Sequence, residues 1–224
     1  MSIKTSADVA SATGFSDNFI DILQYNEGWN EKPYWDKVRF SVGYGHSGRI
    51  LGKYIKGEKD TESLIIMTEK NVDKISLSKE DANEILAQDL LIRIAEAEAR
   101  FGEDFKCAPK SLQAGIVDII FNAGVERGFE GDKTKNIQSN LEYAEYTSAV
   151  KNLLIYPNNP ESYKRNCYRI ILALEDFSRE DRKAVLNDPE IKAYFDKVKN
   201  YLNQKNLPGE VKSLDEKCQD LLSD

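Results

Sequence analysis

Two carboxyl groups and a hydroxyl stand close together early in the chain: Glu27, Asp36 nine positions later, and Ser41. Glu27 falls at the C-terminal end of a predicted first helix, where the partial negative charge of the aligned peptide dipoles opposes ionisation. Its aromatic neighbours Trp29, Tyr34 and Trp35 are expected to shield it from water, and both effects raise a carboxyl pKa. An acid kept protonated near neutral pH can give its proton to a leaving group. Asp36 falls where the chain enters a predicted sheet, more open to water, and is expected to stay ionised. Two carboxyls with pKa values pushed apart suit cleavage of a glycosidic bond: one protonates the departing oxygen, the other activates water or attacks the sugar. Ser41 is placed to hold a water by its hydroxyl. Residue types alone leave Glu31 as eligible as Glu27, and leave a solvated acidic surface as the plain alternative.

Other chemistries find less support. Cys107, Cys167 and Cys218 are too widely spaced for a disulfide framework, and one would be left over. With a single histidine, His46, a zinc site is not expected, and no metal or organic cofactor is implied. His46 is read as a structural partner. Asp89 lies on the apolar stripe set by Ile85 and Leu86, a carboxylate facing inward needs a partner, and a His46–Asp89 pair would tie sheet to helix.

The elements that must position these groups are mostly helical. Ser16 or Asp17 caps a first helix with Phe19, Ile20 and Leu23 on one face, and Gly28 stops it. Tyr34 to Tyr54 is rich in Tyr, Phe, Val and Gly, with strand-like alternation over Phe40–Gly45, and predicts a small antiparallel sheet. Lys56 to Ser76 reads as a polar, irregular excursion from it. Ser78-Lys79-Glu80-Asp81 resembles a capping box and opens a long helix with Ala82, Ile85, Leu86, Ile94 and Ala97 on its stripe. Leu112 to Phe121 leaves little polar face and predicts a helix buried on most sides. Further helices are expected over Ile137–Leu153, stopped by Pro157 and Pro160, and over Tyr163–Phe177. Shorter ones follow, capped by Ser178 and Asp188. The fold class is therefore α+β, with helices dominating.

Composition agrees with a globular protein: 224 residues, 41% apolar, 31% charged. A net charge of −7 and a pI near 5.0 argue against a coat for nucleic acid or for an anionic membrane. Met1 to Phe15 has no apolar core of signal-peptide length, and stretches such as Ile116–Phe121 are too short to span a bilayer. The chain is expected to be made in the cytoplasm without a signal peptide or membrane insertion, and to rely on other machinery for any task outside.

In order, Glu27-Gly28, Tyr34-Trp35-Asp36 and Ser41-Val42-Gly43-Tyr44-Gly45-His46 resemble the phage-type lysozymes, the endolysins of glycoside hydrolase family 24. Weaker matches follow at Ser78–Ala82 with Gln88-Asp89, at Ile119–Gly124, and at the basic pair Arg165 and Arg169; the likeness spans roughly Phe15 to Phe177. It implies a lysozyme-like domain over 16–177, with its sheet at about 34–60 and its helical body at 78–177. A 1–15 segment would precede it, and a 178–224 helical extension would pack on it. It also implies a muramidase, a lysozyme-type glycoside hydrolase that cuts the β-1,4 bond between N-acetylmuramic acid and N-acetylglucosamine, in a family generally described as inverting. Carried over by position, Glu27 is the general acid, while Asp36 and Ser41 place the water or stabilise the cationic transition state.

Tyr44 is assigned to the substrate. Asn122 is expected either to bind an acetamido group or to cap its helix. Arg165 and Arg169, one helical turn apart, are expected to meet the lactyl carboxylate or peptide stem, or else to form surface ion pairs. The expected partners are peptidoglycan glycan strands met as a monomer, a holin-type lesion or secretion machine for release, and an immunity protein if the chain is a delivered antibacterial effector. Three features differ from the family pattern. Ser41 replaces Thr, the Asp36–Ser41 hairpin is one residue short and has Lys37-Val38-Arg39 in place of a glycine, and the charge is acidic. They keep open a second class of function, a non-catalytic wall-binding or structural module. A chitinase-like specificity is a third reading.

Overall fold

The structure, a computed structural model, describes residues 3–154 and 163–223. The chain divides into two compact units, Met1–Ile92 and Arg93–Asp224.

Unit one opens with a helix inside the stretch expected to be a plain N-terminal segment. α1 (Ser6–Thr13) is started by a capping box in which Thr5 accepts from the Asp8 amide and Asp8 accepts from the Thr5 amide, and Gly14 ends it at φ 73°. The Thr-x-x-Asp signal is the same one read correctly at Ser78, but eight residues carry too few apolar positions for a visible stripe. α2 (Asp17–Glu27) starts at Ser16, whose hydroxyl accepts from the Phe19 amide at 3.1 Å, and buries Phe19, Ile20, Ile22 and Leu23. Buried Asn83 anchors this end of the unit: it accepts from Gln24 Nε2 at 2.8 Å and donates to the Lys4 carbonyl at 2.7 Å.

The expected single sheet is two, and it is longer than 34–60. β1 (Asn30–Trp35), β2 (Phe40–Gly43) and β3 (His46–Ser47) form an antiparallel meander, with Tyr34 opposite Ser41 and Trp35 opposite Phe40. β4 (Arg49–Leu51) pairs with β5 (Leu64–Ile66), which lies inside the stretch read as irregular. That strand is three apolar residues long, with Leu64 and Ile66 exposed, so it shows no alternation of apolar and polar residues. Beneath the sheets, Val42, Ile50, Tyr54, Ile55, Met67, Ile75, Leu77 and Ile85 form a common core. Ile85 belongs to α3 (Lys79–Cys107), whose capping box is present: Ser78 Oγ accepts from the Asp81 amide at 3.0 Å and Asp81 accepts from the Ser78 amide at 3.0 Å. Gly102, at φ 63°, kinks α3 near its end.

Unit two is helical: α4 (Lys110–Ala123), α5 (Val125–Gly128), α6 (Ile137–Glu142), α7 (Tyr146–Lys151), α8 (Tyr163–Ala173), α9 (Arg179–Leu186), α10 (Pro189–Gln204) and α11 (Pro208–Ser223). α4 is buried nearly all round, as its composition predicts. Gly115 lets Leu153 approach so closely that an added Cβ would meet Leu153 Cδ1 at 2.7 Å. The helix expected over 137–153 is broken in two at Ala144, which adopts φ 53°. Pro157 and Pro160 lie outside the described residues. α11 packs on α8 and α10 within this unit, with Lys164 and Glu210 paired at 3.0 Å. No helix among the described residues is long and apolar enough to cross a membrane.

Candidate active site

The β1–β2 hairpin is built around Asp36. Its amide donates to the Arg39 carbonyl at 3.0 Å, and its Oδ1 accepts from the amides of Val38 (3.1 Å) and Arg39 (3.0 Å). Its Oδ2 accepts from Ser41 Oγ at 2.8 Å. Hydrogen bonds from the Arg39 amide, Ser41 and the Val38 amide hold the Asp36 carboxyl below its ordinary range, so it is ionised, as its sequence position predicts. Ser41 is buried, and its bond to Asp36 fixes the direction of its hydroxyl. The tight turn needs one residue in the left-handed region, and Lys37 takes it at φ 77° where a glycine is usual. Lys37→Gly is therefore expected to raise stability by about 0.5–1 kcal/mol, read as a shift in urea midpoint. A loss of stability would show that Lys37 makes a compensating contact.

Glu27 is the last residue of α2, half-buried, and followed by Gly28 at φ 70°. The turn after β2 closes on it. A Cβ added to Gly45, which sits at φ 87°, would lie 3.1 Å from Glu27 Oε2. Gly45 thus lets backbone lie against the carboxyl group, a role that reading the sequence for reactive side chains passes over. Burial, the Glu27 charge and the Asp36 charge all push the Tyr34 hydroxyl up, so the two carboxyls act on one phenol. Trp29, Tyr34 and Trp35 are each more than a third exposed. Trp35 stands edge-on to Phe40, with ring centroids 5.1 Å apart, and leaves 59% of its surface open beside Asp36.

His46 and Asp89 pair as expected, with Nδ1 2.9 Å from Oδ2, while Nε2 lies 2.6 Å from the Arg49 carbonyl. Both ring nitrogens face acceptors, and only the imidazolium can donate to both. Burial pulls the His46 pKa down, but the Asp89 hydrogen bond and charge and the Arg49 carbonyl outweigh it, leaving it above 6.5. A raised histidine pKa stabilises the fold below 6.5 and loses that effect as pH climbs through the folded value. Asp89→Asn is expected to cost about 1.5–3 kcal/mol at pH 5.5 and less at pH 8.5, measured by urea unfolding at each pH. An equal cost at both values would mean that the pair contributes no charge interaction.

The other expected substrate contacts have their own surroundings. Tyr44 is 8% exposed, its ring packed into the protein. Asn122 is exposed on α4 and does not cap it; that bond comes from the Gly124 amide to the Ile120 carbonyl at 2.8 Å. Arg165 and Arg169 require correction: they form neither a substrate face nor surface pairs. Asp118 on α4 is buried, and α8 turns both guanidinium groups inward to it, with Arg165 Nη2 and Arg169 Nε each donating at 2.6 Å. Arg169, 2% exposed, also donates to Asn166 Oδ1, and Asn166 Nδ2 donates to the Tyr194 hydroxyl at 2.7 Å. Burial raises the Asp118 pKa, but the charges of Arg165 and Arg169 prevail and bring it down to about 2.

No family model matches the chain, and no curated protein matches it. Among solved structures, the crystal structure of the active form of P1 phage endolysin Lyz is similar, with a TM-score of 0.57 and 14% identity. The similarity covers 80% of this chain and 99% of that one. At that identity the likeness defines the fold: this chain has a lysozyme-like fold, mostly helical with a small antiparallel sheet early in the chain.

Proposed function

We propose that this protein is a peptidoglycan hydrolase of the muramidase type, cutting the β-1,4 bond between N-acetylmuramic acid and N-acetylglucosamine. The observation that carries the reading is the presence of two carboxyls in different settings within one fold unit. Glu27 ends α2 against the Gly45 backbone, and Asp36 is held ionised by Ser41 and two amides on the neighbouring hairpin. The similarity to an endolysin supports it at the level of fold.

In this reading Glu27 delivers its proton to the glycosidic oxygen as the bond from that oxygen to C1 breaks. A carboxylate held below its usual range is a weak base, so Asp36 acts mainly by charge, facing the cationic sugar, and by orienting water together with Ser41. The water oxygen bonds to C1, its proton passes to solvent, and Glu27 regains a proton from solvent. The products are a new reducing end and a free 4-hydroxyl. Trp35 offers an exposed face for a sugar ring beside the reacting bond.

Digestion of purified peptidoglycan, followed by mass spectrometry of the soluble fragments, tests the reading. New reducing ends on N-acetylmuramic acid are expected. Reducing ends on N-acetylglucosamine would replace the proposed specificity. Protein that pellets with the wall and releases nothing would make it a binding module.

A further inference from the structure

A second feature of unit one lies apart from the two carboxyls. A cavity of about 600 Å³ opens between β1, the turn around Tyr54 and the Val72–Lys74 turn. Four lysines line it: Lys32, Lys53, Lys56 and Lys74. Lys53 is spent on Glu84 at 2.8 Å. Lys32, Lys56 and Lys74 form no ion pair with any described residue. The backbone holds Lys56 and Lys74 side by side, since the Lys56 amide donates to the Lys74 carbonyl at 2.9 Å next to the Ile55–Ile75 bridge. Like charges on paired backbone repel and cost stability unless an anion sits between them. Tyr54, 8% exposed, lines the same cavity, its hydroxyl buried and interacting with the Lys53 side chain.

The cavity is not simply cationic. Asp73 and Asp81 line it too, as does Glu31, whose Oε1 accepts from Ser76 Oγ at 2.8 Å. Lysines and carboxylates together fit a ligand that carries both signs. A polyphosphate would meet three carboxylates. A short peptide that carries several carboxylates and a free amine fits both sets.

We infer that this cavity binds the acidic stem peptide attached to the glycan, its carboxylates on Lys56 and Lys74 and its amine toward Asp73. The identity of the ligand rests on the muramidase reading above. Reach supports it: Lys32 lies on β1 four residues before Asp36, about 13 Å along an extended strand. A fully extended tetrapeptide spans about 13–14 Å.

The test uses the full chain carrying Glu27→Gln and titrates it with the free tetrapeptide L-alanyl-γ-D-glutamyl-diaminopimelyl-D-alanine by calorimetry at fixed ionic strength. Saturable binding is expected, weakened about tenfold or more by Lys56→Gln with Lys74→Gln. Both lysines are exposed and repel each other, so the thermal midpoint should not fall. No saturable binding, or equal binding by the double variant, overturns the proposal. Full competition by inorganic phosphate at similar concentration also overturns it, because it would mark an unselective anion patch. Wild-type digestion separates the two readings. Wall cleavage without peptide binding refutes only the stem-peptide site. Peptide binding without wall cleavage refutes only the enzyme.

Discussion

Glu27→Gln is expected to lower the rate of reducing-end release from peptidoglycan by about 10²–10⁴-fold, the range typical for loss of a general acid. That corresponds to about 2.7–5.5 kcal/mol of transition-state stabilisation. Gln is nearly isosteric and its amide can still lie against Gly45, so folding and wall binding should be unchanged while turnover falls. Glu31→Gln is the matched control. Residue type alone leaves the two glutamates equal, but Glu31 is hydrogen-bonded to Ser76 and lines the cavity beside Lys32, whereas Glu27 lies against Gly45 and acts on Tyr34 together with Asp36. Initial rates at saturating wall decide between them. A loss below about threefold for Glu27→Gln, or an equal loss for Glu31→Gln, would remove Glu27 from the acid role.

The largest expected effect on stability is in unit two. Asp118→Asn is expected to destabilise the protein by about 3–5 kcal/mol, because it leaves two inward-facing guanidinium groups beside each other without their carboxylate. Full burial of a leucine side chain contributes about 1.5–3 kcal/mol, so this one substitution outweighs most single losses from the apolar core. For a chain of this length, that is a drop in melting temperature of roughly 6–20 °C. The sign with pH follows from the depressed carboxyl. Its contribution is complete above the unfolded value of 3.8 and is lost as pH falls through about 2. Unfolding of wild type and variant at pH 7 reads the difference directly. A cost under about 1 kcal/mol would show that the arginines find other acceptors and that the carboxylate is dispensable.

That same network marks where reading the chain fails. Arg165 and Arg169 are visible as a basic pair one turn apart, and basic pairs on helices usually face water. What turns them inward is Asp118, 47 positions away from Arg165 and placed among Ile116, Val117, Ile119 and Ile120. A buried carboxylate is tolerable only when paired, so α4 recruits the cations of α8. The His46–Asp89 pair is the opposite case. There the inward carboxylate was recognisable from its helical stripe, and with one histidine in the chain the choice of partner was narrow.

The sequence by itself determined the helical class, the early sheet, the capping boxes, and the order Glu27, Asp36, Ser41. These follow from local spacing and from backbone preferences acting within a few residues. Tertiary structure decided the rest. It set Glu27 apart from Glu31, bound Ser41 to Asp36 across paired strands, put Gly45 against Glu27, buried Arg165 and Arg169, and lined a cavity with Lys56 and Lys74. Each of these depends on which distant groups share a volume with little water, where an unpaired charge is costly and a paired one is held in place. That condition is a property of packing, and no window of neighbouring residues contains it.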